Sequence, residues 1–237
     1  LKRVRLVNWY AFSNITAPVG FFTLIAGKNG NGKSVMLDAI KYAVYGDTVF
    51  NKSSENKGSR TISSYTRGLL DATAGTYIRP ADKVPNVYTH IVQEYYDDVE
   101  EKYFLLGTVI ETNTANNCQT LRYVADRTSM DQMEHVYRDN ERLLPYSATE
   151  LQKKYGLTML IREQGLPKFM QMTGLKLNLN QLPSYLRKLR GIMTYDPNAK
   201  LDKFIRESVL EERNVDFSKL IEAKENIERL HDTFSMI

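Results

Sequence analysis

Cysteine occurs once in the 237 residues, at Cys118, so the chain cannot form an internal disulfide. Histidine occurs only as His90, His135 and His231, and with a single cysteine no zinc-ligand spacing exists. No apolar run approaches the ~20 residues a membrane helix needs. The opening stretch, Leu1–Tyr10, mixes polar and apolar types and carries Lys2, Arg3 and Arg5, which is not a signal peptide. Neither sign of charge dominates: 32 Lys and Arg stand against 28 Asp and Glu, a net +4 that permits nucleic-acid contact without requiring it. These scarcities exclude a disulfide scaffold, a zinc module and a membrane span, and a reducing, cytoplasmic compartment fits them. The chain is also 42% hydrophobic, enough for a sizeable core in one large domain or two small ones.

Val4, Leu6, Val7 and Trp9 support a strand over Leu1–Trp9, although Leu6 and Val7 are apolar neighbours. Phe21–Ala26 (FFTLIA) is a short apolar run ending at Gly27, as expected of a buried strand feeding a tight turn. From Lys33 the period becomes helical. Val35, Leu37, Ala39, Ile40, Ala43 and Val44 form a wide apolar face, and Gly46 closes it as a C-terminal cap. Residues 51–64 read as a polar loop. Val87–Glu94, Lys102–Glu111 and Thr120–Ala125 predict a three-stranded antiparallel meander on the outside of the core.

Beyond Tyr146 the pattern is mostly helical. Ser147 and Glu150 form a capping box, Leu157–Ile161 is a short strand, and helices follow over 167–173, 178–190 and 197–212. Leu220, Ala223, Ile227, Leu230, Phe234 and Ile237 step by three and four, an a/d seam. The root of a coiled coil over 213–237, after a head lobe over 1–212, and an amphipathic helix packed on the domain both satisfy that seam.

The sharpest motif is Gly27-Lys28-Asn29-Gly30-Asn31-Gly32-Lys33-Ser34, followed by Val35, which satisfies G-x-x-x-x-G-K-[ST]. Glycines let the backbone curl until successive N–H groups converge on phosphate oxygens. The helix starting near Lys33 aims its positive end at the same phosphates. Lys33 adds a full charge between the β- and γ-phosphates, and the Ser34 hydroxyl offers a coordination position to Mg²⁺. ATP and Mg²⁺ are therefore the expected cofactors. An apolar run before the loop and a helical pattern after it are the context this motif requires.

Asn29-Gly30-x-Gly32-Lys33-Ser34 resembles the loop of ABC-type ATPases, and Leu37-Asp38-Ala39-Ile40 resembles the helix start of SMC, SbcC and RecF-like heads. Upstream, residues 6–14 (LVNWYAFSN) resemble the opening strand and turn of those heads. Asn8-Trp9 followed by Phe12, with Tyr45-Gly46-Asp47, Phe50-Asn51-Lys52 and Tyr65-Thr66-Arg67-Gly68, is most similar to the MukB, MksB and JetC branch. The resemblance implies an α/β fold, the N-terminal half of an ABC-type ATPase head. It adds an antiparallel β lobe beside a mixed sheet and a C-terminal helix that starts a coiled coil.

In such heads a Gln at the end of a strand holds Mg²⁺ and the attacking water. Gln164, in Leu160-Ile161-Arg162-Glu163-Gln164-Gly165, matches that place; the alternative is a surface Gln in a helix-entry turn. In SMC-like heads the region matching Arg60 and Arg67 carries an arginine that reaches nucleotide or DNA, where a guanidinium fork binds two phosphate oxygens, so the resemblance implies that contact for Arg60 or Arg67; a solvated loop arginine is the alternative for each. No run of apolar residues ends in Asp-Glu. Leu105–Glu111 and Ile91–Glu94 come nearest and lack the Asp or the unbroken run. There is no Leu-Ser-Gly-Gly signature either.

The resemblance accordingly implies a half-site completed by the C-terminal half of the same head. A second head would form a homodimer with two sandwiched ATP molecules, and DNA, kleisin and winged-helix subunits would be partners. Condensation, loop extrusion or plasmid defence would be the outcome. An SbcC-like ATPase gating a nuclease and a non-hydrolysing nucleotide-dependent clamp are the rivals.

Overall fold

Apolar side chains at Val4 and Leu6 fall on one face of the first strand, and Trp9 joins them in one core after Asn8, at φ +53°, breaks the alternation; all three are fully buried. In the computed structural model this strand, β1 (Arg3–Trp9), turns back at Tyr10-Ala11 into β2 (Phe12–Pro18). The structure describes residues 1–28, 30–50, 60–174, 180 and 182–193, with isolated positions 205, 224 and 228. Then come α1 (Lys33–Tyr45), α2 (Ile62–Arg67), β3 (Leu69–Asp71) and β4 (Thr76–Tyr77). The meander is β5 (Val87–Asp97), β6 (Lys102–Thr112) and β7 (Cys118–Asp126). A hairpin of β8 (Val136–Asp139) and β9 (Arg142–Pro145) precedes α3 (Ala148–Tyr155), α4 (Arg162–Thr173) and α5 (Leu182–Met193). Two compact units divide the chain, Leu1–Leu182 and Pro183–Ile237.

The first unit is built on one five-stranded sheet in the order β2-β1-β5-β6-β7, every neighbouring pair antiparallel. The expected meander is present, with Val87 opposite Thr112 and Thr112 opposite Cys118. It is not an outer lobe: β5 pairs directly with β1, and α1 packs across it. Because side chains alternate, Ile91 and Ile110 join the core under α1 while Val92 and Val109 join a second core on the opposite face. There Met130, Met133, Ala148 and Leu151 cover the sheet. The central strands are thus buried on both faces: β6 reads as a largely apolar run, while β5 also buries Thr89, His90, Gln93 and Glu94.

Three expectations need correction. Among the described residues no mixed sheet carries the phosphate loop, and Phe21–Ala26 forms no strand: Phe21, Phe22 and Leu24 are 97%, 91% and 90% exposed. An apolar central strand needs a ladder partner and two covered faces, and the five described strands pair among themselves without this segment. Residues 62–64, the end of the stretch read as loop, instead open the helix Ile62–Arg67, because Thr61 and Ser64 exchange side-chain bonds with each other's backbone N–H, a capping box with Ser in place of the usual Glu. Leu157–Ile161 contributes a single bridge, Leu160 to Arg122 on β7. The capping box at Ser147 and the Gly46 cap are as expected. The seam over 213–237 lies outside the described residues, save Lys224 and Glu228, whose side chains are 3.6 Å apart.

Candidate nucleotide-binding site

Gly30 and Gly32 both sit at φ +85°, a region that L side chains enter only at a cost. Gly32 is additionally required by contact, since a Cβ there would lie 2.8 Å from Cζ of Phe12 at the tip of the β1–β2 hairpin. The hairpin also grips the first turn of α1: the Trp9 indole donates to the carbonyl of Val35 over 2.9 Å. The loop is thereby held against the sheet from below and left open above.

Lys33 curls back so that its Nζ donates to the carbonyls of Gly27 (2.7 Å) and Lys28 (2.9 Å). No acidic residue stands in the first turn of α1, so nothing opposes the positive end of the helix. Ser34 is exposed at that end. This donor set fits a polyphosphate: the backbone N–H groups of Gly30, Gly32, Lys33 and Ser34 with the Lys33 ammonium would hold its oxygens, while the Asn31 amide is spent on the Lys28 carbonyl at 3.3 Å, and the Ser34 hydroxyl would hold a divalent cation. Asn29 lies outside the described residues.

One helical turn deeper, a polar cluster ties the loop helix to the segment after it. The Tyr65 hydroxyl donates to Asp38 Oδ2 over 2.6 Å and accepts from Arg60 Nη1 over 3.0 Å. Arg60 Nη1 is 3.9 Å from the same carboxylate. Burial, then the bond to Asp38, pushes the Tyr65 hydroxyl far above its usual range, so it remains a donor. The Tyr65 ring stacks on Trp9 at 4.5 Å. Lys41 pairs with Asp47 at 3.2 Å and donates to the Val49 carbonyl, anchoring the exit from α1. Arg60 is therefore held against Asp38 on α1, and the sequence carried no signal for Tyr65 and Asp38 as its holders.

Arg67 is placed elsewhere. It is 1% exposed, and its five donors are all spent on oxygens: Asn116 Oδ1 and the carbonyls of Arg79, Val84, Pro85 and Asn113. A guanidinium so saturated cannot also take a phosphate, and the expected nucleotide or DNA contact at Arg67 is corrected to a structural one. Arg79, unremarked in the sequence, plays a matching part, donating to the carbonyls of Thr66, Asn8 and Tyr10. Burial, then the nearby Arg67, brings its pKa down to about 10.

Gln164 is also placed elsewhere. It sits in the first turn of α4, exposed, with its Oε1 accepting from the Ile161 amide at 3.3 Å. Its neighbour Arg162 donates to the carbonyl of Tyr45, at the C-terminal end of α1. A 13-residue helix is roughly 18 Å long, so Gln164 stands at the opposite end of α1 from Lys33. The reason is electrostatic. Arg122 and Arg162 bring their cations to the last carbonyls of α1, with Arg122 donating to Ala43 and Tyr42, and this draws the α4 entry to the negative end of the helix. Gly46 is squeezed between them, since a Cβ there would lie 2.9 Å from Arg162 Nε.

Neither near-match to an acidic catalytic strand is free for such work. Glu94 is buried in a two-oxygen pairing with Arg3, at 2.7 and 2.6 Å. Glu111 accepts from the Ala148 amide at the start of α3.

Comparison with known families gives one match: residues 1–57 fit the model described as the P-loop containing region of an AAA domain. It spans the β1–β2 hairpin, the phosphate loop and α1, and leaves the meander and α3–α5 outside. No curated protein matches the chain. Geometry and match agree on a P-loop nucleotide-binding domain, the kind of site that nucleotide hydrolases use.

Proposed function

We propose that this chain is the ATP-binding N-terminal half of the head of an SMC-like DNA motor, with ATP and Mg²⁺ at Gly27–Ser34 driving engagement of two heads. One observation carries the reading. The apolar segment leading into the phosphate loop has no sheet partner among the described residues and exposes Phe21, Phe22 and Leu24 almost completely. Such a segment beside a phosphate cradle calls for a cover. The C-terminal half of the same head is a complement of the right kind, because it would bring both the missing strands and the Asp-Glu pair and signature that the 237 residues lack. The division of labour follows. The loop amides and Lys33 bind and orient the phosphates, Ser34 positions the cation, and Arg60 is held near the loop by Asp38 and Tyr65. Bound Mg²⁺ would supply neutralisation of the β- and γ-phosphate charge. The attacking water would be activated by a residue of the complementing half. DNA, kleisin and winged-helix subunits belong to this reading as partners.

Calorimetry and phosphate release test it together. MgATP titrated into the intact protein should bind, and Lys33→Ala should abolish binding. The 237-residue chain alone should release phosphate no faster than buffer, while the intact protein turns over and DNA accelerates it. Turnover by the isolated chain that Lys33→Ala removes would overturn the half-site reading. An intact protein that binds ATP and never hydrolyses it would be a nucleotide-dependent clamp instead.

A further inference from the structure

On the face of the sheet away from α1 lies a cleft of about 480 Å³ that the nucleotide site does not use. Its floor is Arg5 on β1 with Asn14 and Thr16 on β2, which share a face because Arg5 pairs with Thr16 and Val7 with Asn14. Its wall is the β8–β9 hairpin, presenting Tyr137, Arg138 and Leu143.

Arg5 is held unusually. Its Nε donates to Thr16 Oγ1 (3.0 Å), and its Nη1 faces the Met133 carbonyl (3.1 Å) and His135 Nδ1 (3.2 Å). Because arginine only donates, His135 accepts at Nδ1 and carries its proton on Nε2, 2.7 Å from the Tyr123 hydroxyl. Burial foremost, then His90 and Arg5, depress the His135 pKa, consistent with this neutral ring. The guanidinium plane is thus fixed from behind, and Nη2 makes no hydrogen bond among the described residues. No carboxylate of the described residues lies within ion-pairing distance of Arg5, whereas its neighbour Arg3 holds both Glu94 and Asp131. The lining Glu134 is committed to Lys154 at 2.8 Å.

The second feature is the strand beside it. β2 is an edge of the sheet, with one row of backbone groups outside the ladder, and Phe12–Pro18 contains no charged residue. Edges are ordinarily guarded by charge or cover. The other edge, β7, is bridged by Leu160, and β2 has only Pro18 at its end.

The geometry points to a docking site for an extended acidic peptide of a partner protein, pairing along β2 with a carboxylate on Arg5 and Arg138. Strand addition supplies the affinity and the two arginines select the charge. A nucleic-acid backbone suits the cleft less well, since it needs a run of cations and the lining offers Arg5 and Arg138 alone. This site is independent of the nucleotide.

The probe is a fluorescein-labelled decapeptide alternating Glu and Thr, followed by anisotropy with the 237-residue chain, beside the same peptide with Lys for Glu. The Glu peptide should bind and the Lys peptide should not. Arg5→Lys keeps the charge and loses the fork, Arg138→Ala alters an exposed side chain, and each should weaken binding at least tenfold. Amide exchange over residues 12–18 should slow on binding. Lys33→Ala should change nothing, which separates failure here from failure of the nucleotide site. Equal binding of both peptides, unchanged binding by both variants, or binding without protection of β2 would each overturn the proposal. So would duplex DNA displacing the peptide and itself losing tenfold on the same substitutions.

Discussion

Replacing Gly32 by Ala is the sharpest perturbation of the phosphate loop, and its two costs can be separated. The backbone cost arises from φ +85°, where an L side chain is disfavoured by about 1–2 kcal/mol. The packing cost arises from a Cβ placed 2.8 Å from the Phe12 ring, an overpacking typically of ~1–3 kcal/mol. Gly30 shares the same φ but has nothing within 4 Å of its Cβ position, so Gly30→Ala carries the backbone cost alone. The expected ordering is a loss of about 1–2 kcal/mol for Gly30→Ala and about 2–5 kcal/mol for Gly32→Ala. On a Phe12→Ala background the Gly32→Ala increment should shrink to the Gly30→Ala value, leaving a coupling of about 1–3 kcal/mol. Urea unfolding followed through Trp9, the sole tryptophan and fully buried, reads all four variants. MgATP affinity should fall in the same order, because the loop must keep its curl to converge its amides. Equal costs at the two glycines, or no relief on removing the Phe12 ring, would refute the claim that the hairpin tip buttresses the loop.

Three further outcomes follow from named contacts. Arg67→Met strips five oxygens of their donor and should cost about 3 kcal/mol or more in urea unfolding, while folded molecules bind MgATP normally; a variant that folds normally yet loses DNA-stimulated turnover would restore Arg67 to a functional role. Tyr65→Phe keeps the stack on Trp9 but removes the hydroxyl between Asp38 and Arg60, so stability should fall by about 1–3 kcal/mol and Arg60 should lose its fixed place; unchanged stability would count against the cluster. Burial brings the His90 pKa down to about 4 from an ordinary 6.5. The unfolded chain therefore takes up a proton that the folded one refuses, and stability present above pH 6.5 drains away toward pH 4, by about 3 kcal/mol. His135 adds in the same direction. A urea midpoint that stays flat from pH 7 to 4.5 would contradict this.

Local patterns carried the phosphate loop, α1 with its Gly46 cap, the meander and the Ser147 capping box, because each depends on a motif or period contained within a short stretch. The site residues outside that stretch were less legible. Arg60 and Arg67 look alike as letters, each a loop arginine near Tyr65. Folding separates them: one faces a carboxylate and a hydroxyl near the P-loop helix, and the other vanishes into five carbonyl and amide oxygens. Gln164 had the right neighbours in sequence and the wrong end of the helix in space, since its position follows from Arg122 and Arg162 meeting the carbonyls of Tyr42, Ala43 and Tyr45.

Residues 27–34 announce a phosphate site on their own because its chemistry is made of consecutive backbone amides, one lysine and one hydroxyl. Whether Phe21–Ala26 becomes a strand is not a property of those six residues. A strand exists only where another backbone completes its hydrogen bonds, and in this fold the described strands pair with one another and not with this segment. Composition could announce an apolar run there, but only the tertiary arrangement decided that it would stand exposed just before the phosphate loop.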